Sequence, residues 1–255
     1  MKRLALLLAG AWLLAGGIKS ADAAGPECDT SPAFTALNAQ MPHVAAKVAA
    51  GETVTVVAIG SSSTAGAGAS QPANAYPARL ERLMPRYLPG IKLRVLNKGR
   101  NGEEIPQMLA RFESDVAIEK PDLVLWQFGT NAILRNNGIA AFAQPLQDGM
   151  RRLKAMGADI VLIDLQYAPR VLADPDYPAM QTMIAQTAES NQAGLFRRFA
   201  IMQHWAKSGQ IDLTGQIGPD GLHHTDFGYL CMAKGLAKGL AQAVRATRGQ
   251  DGPKQ

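Results

Sequence analysis

The stretch TVTVVAIGSSSTAG, residues 53–66, decides the fold. Its first half, Thr53 to Ile59, is a β-branched run that turns apolar at nearly every position toward its end, the pattern of a strand buried on both faces. Its second half, Gly60-Ser61-Ser62-Ser63-Thr64-Ala65-Gly66, is a glycine-bounded serine turn leaving that strand. Glycine permits a tight turn, so a serine here can expose its hydroxyl beside a backbone N–H. Taken alone, the segment reads equally well as a Ser/Gly-rich loop or as an anion-binding turn. Nucleotide binding is weakened, because the chain lacks both the Gly-Lys-Ser/Thr ending of a phosphate-binding loop and a correctly placed G-x-G-x-x-G turn.

Three further runs have the character of buried strands: Ile91 to Leu96, Leu123 to Phe128 and Ile160 to Leu165. Between them, Tyr76 to Tyr87, Glu104 to Ile118 and Ile139 to Met156 place apolar residues three and four apart, as amphipathic helices do. Alternating strands and helices imply a parallel sheet covered on both faces, and right-handed crossovers then give a doubly wound three-layer α/β/α domain. Such sheets bind ligands beyond the carboxyl ends of their strands. Outside this pattern, Ser31 to Ala50 reads as one Ala-rich helix opened by Ser31-Pro32, Asp174 to Pro178 reads as loop with helix after it, and Thr225 to Ala246 reads as the final helix. We expect an arm and helix over 24–50, one domain over 51–248 and a disordered tail over 249–255.

The start of the chain bears on its compartment. Met1-Lys2-Arg3 precedes an apolar run from Leu4 to Ile18, too short for a comfortable membrane span, and Ala21-Asp22-Ala23 then fits a signal-peptidase site. We therefore expect a signal peptide over 1–23 with cleavage after Ala23, a periplasmic or secreted protein, and no stable membrane insertion once the leader is gone. The remaining ~230 residues suit one filled core better than two. The formal charge of +5 falls to about +3 without the leader, and no Lys/Arg cluster interleaved with aromatics supports a nucleic-acid partner. Cys28 and Cys231 are the two cysteines; in an oxidising compartment they are expected to form a disulfide that pins the leading arm to the last helix.

Three more segments fall where strand ends or the last helix would place them: Asn97-Lys98-Gly99-Arg100-Asn101-Gly102, Gly129-Thr130-Asn131 and Asp220-Gly221-Leu222-His223. Together with Gly60-Ser61-Ser62 they resemble the sequence blocks of the SGNH (GDSL-like) hydrolase superfamily, over Thr53 to about Leu240. That resemblance implies a flavodoxin-like, mostly parallel five-stranded sheet. It also implies Ser62 as nucleophile with Asp220 and His223 completing a triad, and Ser62, Gly102 and Asn131 as oxyanion donors. Two flanking positions depart from the pattern: Ser61 stands where the family usually has Asp, and so does Ala132.

These residue types suit ester chemistry. A serine hydroxyl is a poor nucleophile at neutral pH, so a histidine must take its proton, and a carboxylate must hold that histidine in the right tautomer. Other polar residues fit the pattern less well. His224 adjoins His223 but misses the D-x-x-H spacing; His204 beside Trp205 and His43 in the N-terminal helix read as packing or surface; Asp164 reads as structural, Trp126 as core, and Ser61 and Ser63 sit at the wrong offset from Gly60. Asp220, His223, His224 and Asp226 do not make a zinc site, since the triad and the cap of the last helix account for them. No cofactor and no metal are expected. The implied function is hydrolysis of a carboxylic ester, short-chain or O-acetyl, on an extracytoplasmic glycan or lipid. An acyltransferase using the same triad and a noncatalytic glycan-binding or assembly protein of this fold are the competing readings.

Overall fold

The computed structural model describes Cys28 and residues 31–250; the expected leader and residues 251–255 lie outside the described residues. Five strands, β1 (Thr53–Gly60), β2 (Lys92–Gly99), β3 (Leu123–Gln127), β4 (Asp159–Ile163) and β5 (Gly194–Phe196), form one sheet in the order β2-β1-β3-β4-β5. Every pairing is parallel, and helices cover both faces, giving the three-layer α/β/α fold. The register aligns the strand ends: Gly60 pairs with both Gly99 and Gln127, Gln127 with Ile163, and Ile163 with Phe196. Chain order reverses between β1 and β3, so the carboxyl edge there is the switch point at which such sheets bind ligands.

Burial explains the central strands; β2, expected to be a buried strand, instead lies at the sheet edge with none of its residues buried. All five residues of β3 and of β4 are buried, matching their four-residue apolar runs; Gln127 ends the first and Asp159 opens the second as buried polar residues. Trp126 fills the space between the sheet and the Ala140–Ala155 helix, with Phe112 edge-on at 5.3 Å, Phe128 at 4.8 Å and its indole N–H directed at Met108 Sδ 3.3 Å away. On the opposite face the Tyr76–Tyr87 helix packs along the last helix. The Cys28–Cys231 disulfide, with Cα atoms 5.3 Å apart, fastens the start of the described chain to that last helix.

Several expected boundaries shift, each for a local reason. The 31–50 helix is two: Pro32–Thr35, whose first turn is capped by Ser31, and Pro42–Ala50. Pro42 disfavours a helical conformation at Met41, and Asn38 sits at φ 54°, so the intervening chain is extended enough for Leu37 to accept a hydrogen bond from Leu195 of β5. The 104–118 helix divides into Ile105–Ala110 and Phe112–Asp115, and Arg111 between them turns its guanidinium in toward Glu103 and Asp115. β5 falls in a stretch read as helical; three residues are too few to carry a period. The final helix, Asp226–Gln250, runs into the expected tail. Its cap is Thr225, which accepts from the Gly228 N–H, whereas the Asp226 carboxylate accepts from Ser70 and Asn74.

Candidate active site

β1 delivers its last glycine into a single helical turn, Ser62–Ala65, with Ser61 as the residue before it. β2 ends directly against that turn: a Cβ on Gly99 would lie 2.1 Å from the Ala65 nitrogen, so only glycine lets the two backbones meet. The first N–H groups of a helix have no acceptor within it, which leaves the Ser62 N–H pointing out of the turn.

Asp220 and His223 come from the loop before the last helix. One Asp220 oxygen, Oδ1, accepts the backbone N–H groups of Leu222 and His223 at 3.0 Å each, folding the loop back on itself. The other, Oδ2, lies 2.5 Å from His223 Nδ1, and His223 Nε2 lies 2.9 Å from Ser62 Oγ. Burial opposes ionisation of Asp220, but the two backbone N–H groups and the His223 ring outweigh it and hold its carboxyl down at about 2. An ionised carboxylate only accepts, so Nδ1 of a neutral His223 carries the hydrogen. Nε2 is then free to accept from the Ser62 hydroxyl.

Behind the loop, polar side chains from three strand ends fix its position. Gln166 donates to the Leu222 carbonyl at 3.3 Å and accepts from Thr130 Oγ1 and Arg198 Nη2, both at 2.9 Å. Arg198 is fully buried and also grips the Asp164 carbonyl through Nε and Nη2. Burial pulls its guanidinium down to about 10, still charged at neutral pH, and pushes the Asp164 carboxyl up to about 7. Nothing in the sequence singled out Gln166 or Arg198, because each acts through the fold and not through a local motif.

Gly102 stands on the loop after β2 and Asn131 in the short helix Thr130–Leu134 after β3. Gly102 adopts φ 77°, and its carbonyl accepts from Arg135 Nη2 at 2.8 Å. Arg135 also pairs with the buried Glu104, which Asn137 holds from the other side. Asn131 Nδ2 donates to the Glu103 carbonyl at 2.9 Å, and the second hydrogen of that amide is left for another acceptor. Among the described residues no hydrogen bond joins Ser62 to Gly102 or Asn131. The structure thus links Ser62, His223 and Asp220 in one line, and ties Asn131 to Glu103, the residue after Gly102, in a second group.

The remaining polar residues take structural places. His224 is 1% exposed with its ring tilted against Tyr229, and burial and the Arg198 charge hold it down to about 3. His204 stacks on Phe34 at 4.6 Å. The His43 and Val44 N–H groups point at the Asp159 carboxylate, and Asp164 accepts from the Phe199 N–H and Gln181. A groove of about 1120 Å³ at the amino edge of the sheet, lined in part by Leu37, His43 and Asp159, contains none of Ser62, Asp220 and His223.

No curated protein matches the chain. Among solved structures, a two-domain esterase active on acetylated mannans shares its fold with a TM-score of 0.69 at 18% identity, over 84% of this chain and 57% of that one. This chain thus spans little more than half of that esterase. An acetylxylan esterase from Geobacillus stearothermophilus aligns with a TM-score of 0.59 at 21% identity over 75% of this chain and 94% of its own. A Parabacteroides merdae protein assigned to the GDSL-like lipases aligns at 0.61 and 16% identity over 73% and 96%. The model of the non-GDSL lipase-like family matches residues 27–246, which accords with Ser61 in place of the usual Asp. Nearly the whole described chain falls inside that match, and the protein belongs to the non-GDSL lipase-like family, of the SGNH hydrolase type.

Proposed function

We propose that this protein is a serine esterase that hydrolyses carboxylic esters through an acyl-enzyme, with Ser62, His223 and Asp220 as its triad. The observation that carries the reading is the continuous line from Asp220 Oδ2 to His223 Nδ1 at 2.5 Å and from His223 Nε2 to Ser62 Oγ at 2.9 Å. The second contact is within reach for proton transfer, and the first holds the His223 ring in place for it.

In the first half-reaction Ser62 Oγ attacks the ester carbonyl carbon while its proton passes to His223 Nε2. Asp220 stabilises the imidazolium without taking the proton. The carbonyl π electrons move to oxygen, and that oxyanion is received by the Ser62 and Gly102 N–H groups and the second Asn131 amide hydrogen. Collapse of the intermediate breaks the bond to the alcohol oxygen, which leaves with the proton from Nε2. A water then repeats the sequence: His223 takes its proton, the hydroxyl oxygen attacks the acyl carbon, and Ser62 leaves as the reprotonated alcohol.

The substrate class is a short-chain or O-acetyl ester on an extracytoplasmic glycan or lipid. Support for the acetyl group comes from the fold shared with esterases of acetylated mannan and acetylxylan. Support for the compartment comes from the Cys28–Cys231 disulfide, which persists in oxidising surroundings, and from the leader-like sequence of the first 23 residues. Among the described residues no helix is long and apolar enough to cross a membrane.

The test is p-nitrophenyl acetate hydrolysis by the wild type beside Ser62→Ala, with intact-mass detection of a serine-reactive phosphonate adduct. Activity and adduct are expected in the wild type and absent from the variant. A folded wild type that neither hydrolyses nor labels overturns the reading.

A further inference from the structure

We propose that Gln127, the last residue of β3, is the positioning residue that holds the Ser62 turn in line with His223. The proposal rests on the esterase reading above. It begins at Ser61, where the family pattern has an acid and this chain has a hydroxyl. In the structure both donors of Ser61 converge on one atom, Gln127 Oε1: the backbone N–H at 3.0 Å and Oγ at 3.1 Å. Thr64 Oγ1, on the far side of the same turn, adds a third hydrogen bond to that oxygen at 3.2 Å. Thr64 spends its hydrogen there, so the Tyr76 hydroxyl 3.3 Å away must donate to Thr64.

The orientation of the Gln127 amide follows from these partners. A backbone N–H can only donate, so the atom facing Ser61 must be the oxygen. Gln127 is wholly buried, and its register partner is Gly60, the residue before Ser61. A Cβ on Gly60 would lie 2.9 Å from Oε1 and 2.3 Å from Thr64 Oγ1, so the Gln127 and Thr64 side chains occupy the space a side chain at position 60 would need. A single buried acceptor therefore ties down the residue before Ser62 and the residue two after it. Reacting groups displaced by about 1 Å lose roughly 10²-fold in rate, which sets the scale of what this anchor protects.

The arrangement also explains why an acid does not suit position 61 here. Ser61→Asp would set a carboxylate against Oε1. Turning the amide to offer Nε2 would instead set that donor against the backbone N–H of residue 61. Restoring the residue common in the family is therefore expected to lower activity in this chain.

The experiment compares Gln127→Leu, Gln127→Glu, Ser61→Asp and the double variant Ser61→Ala/Thr64→Val with wild type, by kcat and KM on p-nitrophenyl acetate, rate of phosphonate labelling and thermal unfolding. Q127L is expected to lose about 10²-fold in kcat and labelling with KM nearly unchanged. Q127E keeps an acceptor in place and is expected to recover most of that loss, which a role in packing alone does not predict. The double variant, with Gln127 untouched, is expected to fall between wild type and Q127L, and Ser61→Asp to fall below wild type. A folded Q127L with wild-type kcat overturns the proposal, as does a folded Q127E no better than Q127L. If Q127L does not fold, the double variant decides, and an unchanged kcat there overturns it. A silent wild type overturns the esterase reading and this proposal with it; an active wild type beside an unimpaired Q127L overturns this proposal alone.

Discussion

Asn131 Nδ2 donates a 2.9 Å hydrogen bond to the Glu103 carbonyl, which ties the first turn of the helix after β3 to the loop that carries Gly102. Asn131→Ala removes both this tie and the free amide hydrogen assigned to the oxyanion. The expected loss is roughly 10²–10³ in kcat on p-nitrophenyl acetate, with Ser62 still able to label slowly because the triad is untouched. An Asn131→Ala protein with near wild-type kcat would remove Asn131 from the mechanism.

Acid titration separates Asp220 from an ordinary carboxyl. Its folded pKa, held to about 2, lies below the unfolded value near 4, so its contribution to stability is complete above about pH 4 and is lost as pH falls toward 2. Carbon-detected NMR of the Asp220 carboxyl is expected to stay flat from neutrality to about pH 4 and to step near 2. A midpoint near 4 contradicts the hydrogen-bonded loop. Asp220→Asn, which leaves the wrong His223 tautomer facing Ser62, is expected to cut kcat by about 10⁴.

His224 is expected to limit stability in acid while contributing nothing to the reaction. Burial and the Arg198 charge outweigh the Gln216 backbone carbonyl that would favour the proton, and the group stays neutral in the folded protein down to about pH 3. The unfolded chain binds that proton near 6.5, so stability is unaffected above about pH 6.5 and declines as pH falls from there toward 3, by on the order of 5 kcal/mol. His224→Phe fills similar volume without the titration. It is expected to move the acid-unfolding midpoint to lower pH and to leave kcat near wild type; an unchanged midpoint refutes the assignment.

The disulfide closes a loop across a sequence separation of 203, and constraint of the unfolded chain grows with loop length. Reduction, or Cys28→Ser with Cys231→Ser, is expected to cost about 2–5 kcal/mol, read as a lower urea midpoint. An unshifted midpoint means that the arm contributes nothing to holding the last helix.

The strands and the grouping of Ser62 with Asp220 and His223 were legible in the sequence for different reasons. β1, β3 and β4 announce themselves because strands buried on both faces are apolar along most of their length, here Val56 to Ile59, Leu123 to Trp126 and Ile160 to Ile163. Ser62, Asp220 and His223 sit in short blocks whose spacing is itself informative. β5 was invisible because three residues carry no period, and the break between Thr35 and Pro42 was masked by the Ala-rich stretch around it. Gln127, Gln166, Arg135 and Arg198 could not be found at all from spacing. Their partners lie 31 to 66 residues away in the chain, and only the aligned strand ends bring them together.

Cys28 leaves the ribosome far ahead of its partner, because Cys231 follows 203 residues later, beyond every strand of the sheet. At roughly 5–20 residues per second, the first thiol waits some tens of seconds for the second. The covalent link is therefore a closing event: it can form only after the segment from Asp220 to His223 has been synthesised. A chain that stops short of its final helix is left with a cysteine that has nothing to join, a chemical mark by which an incomplete molecule differs from a finished one.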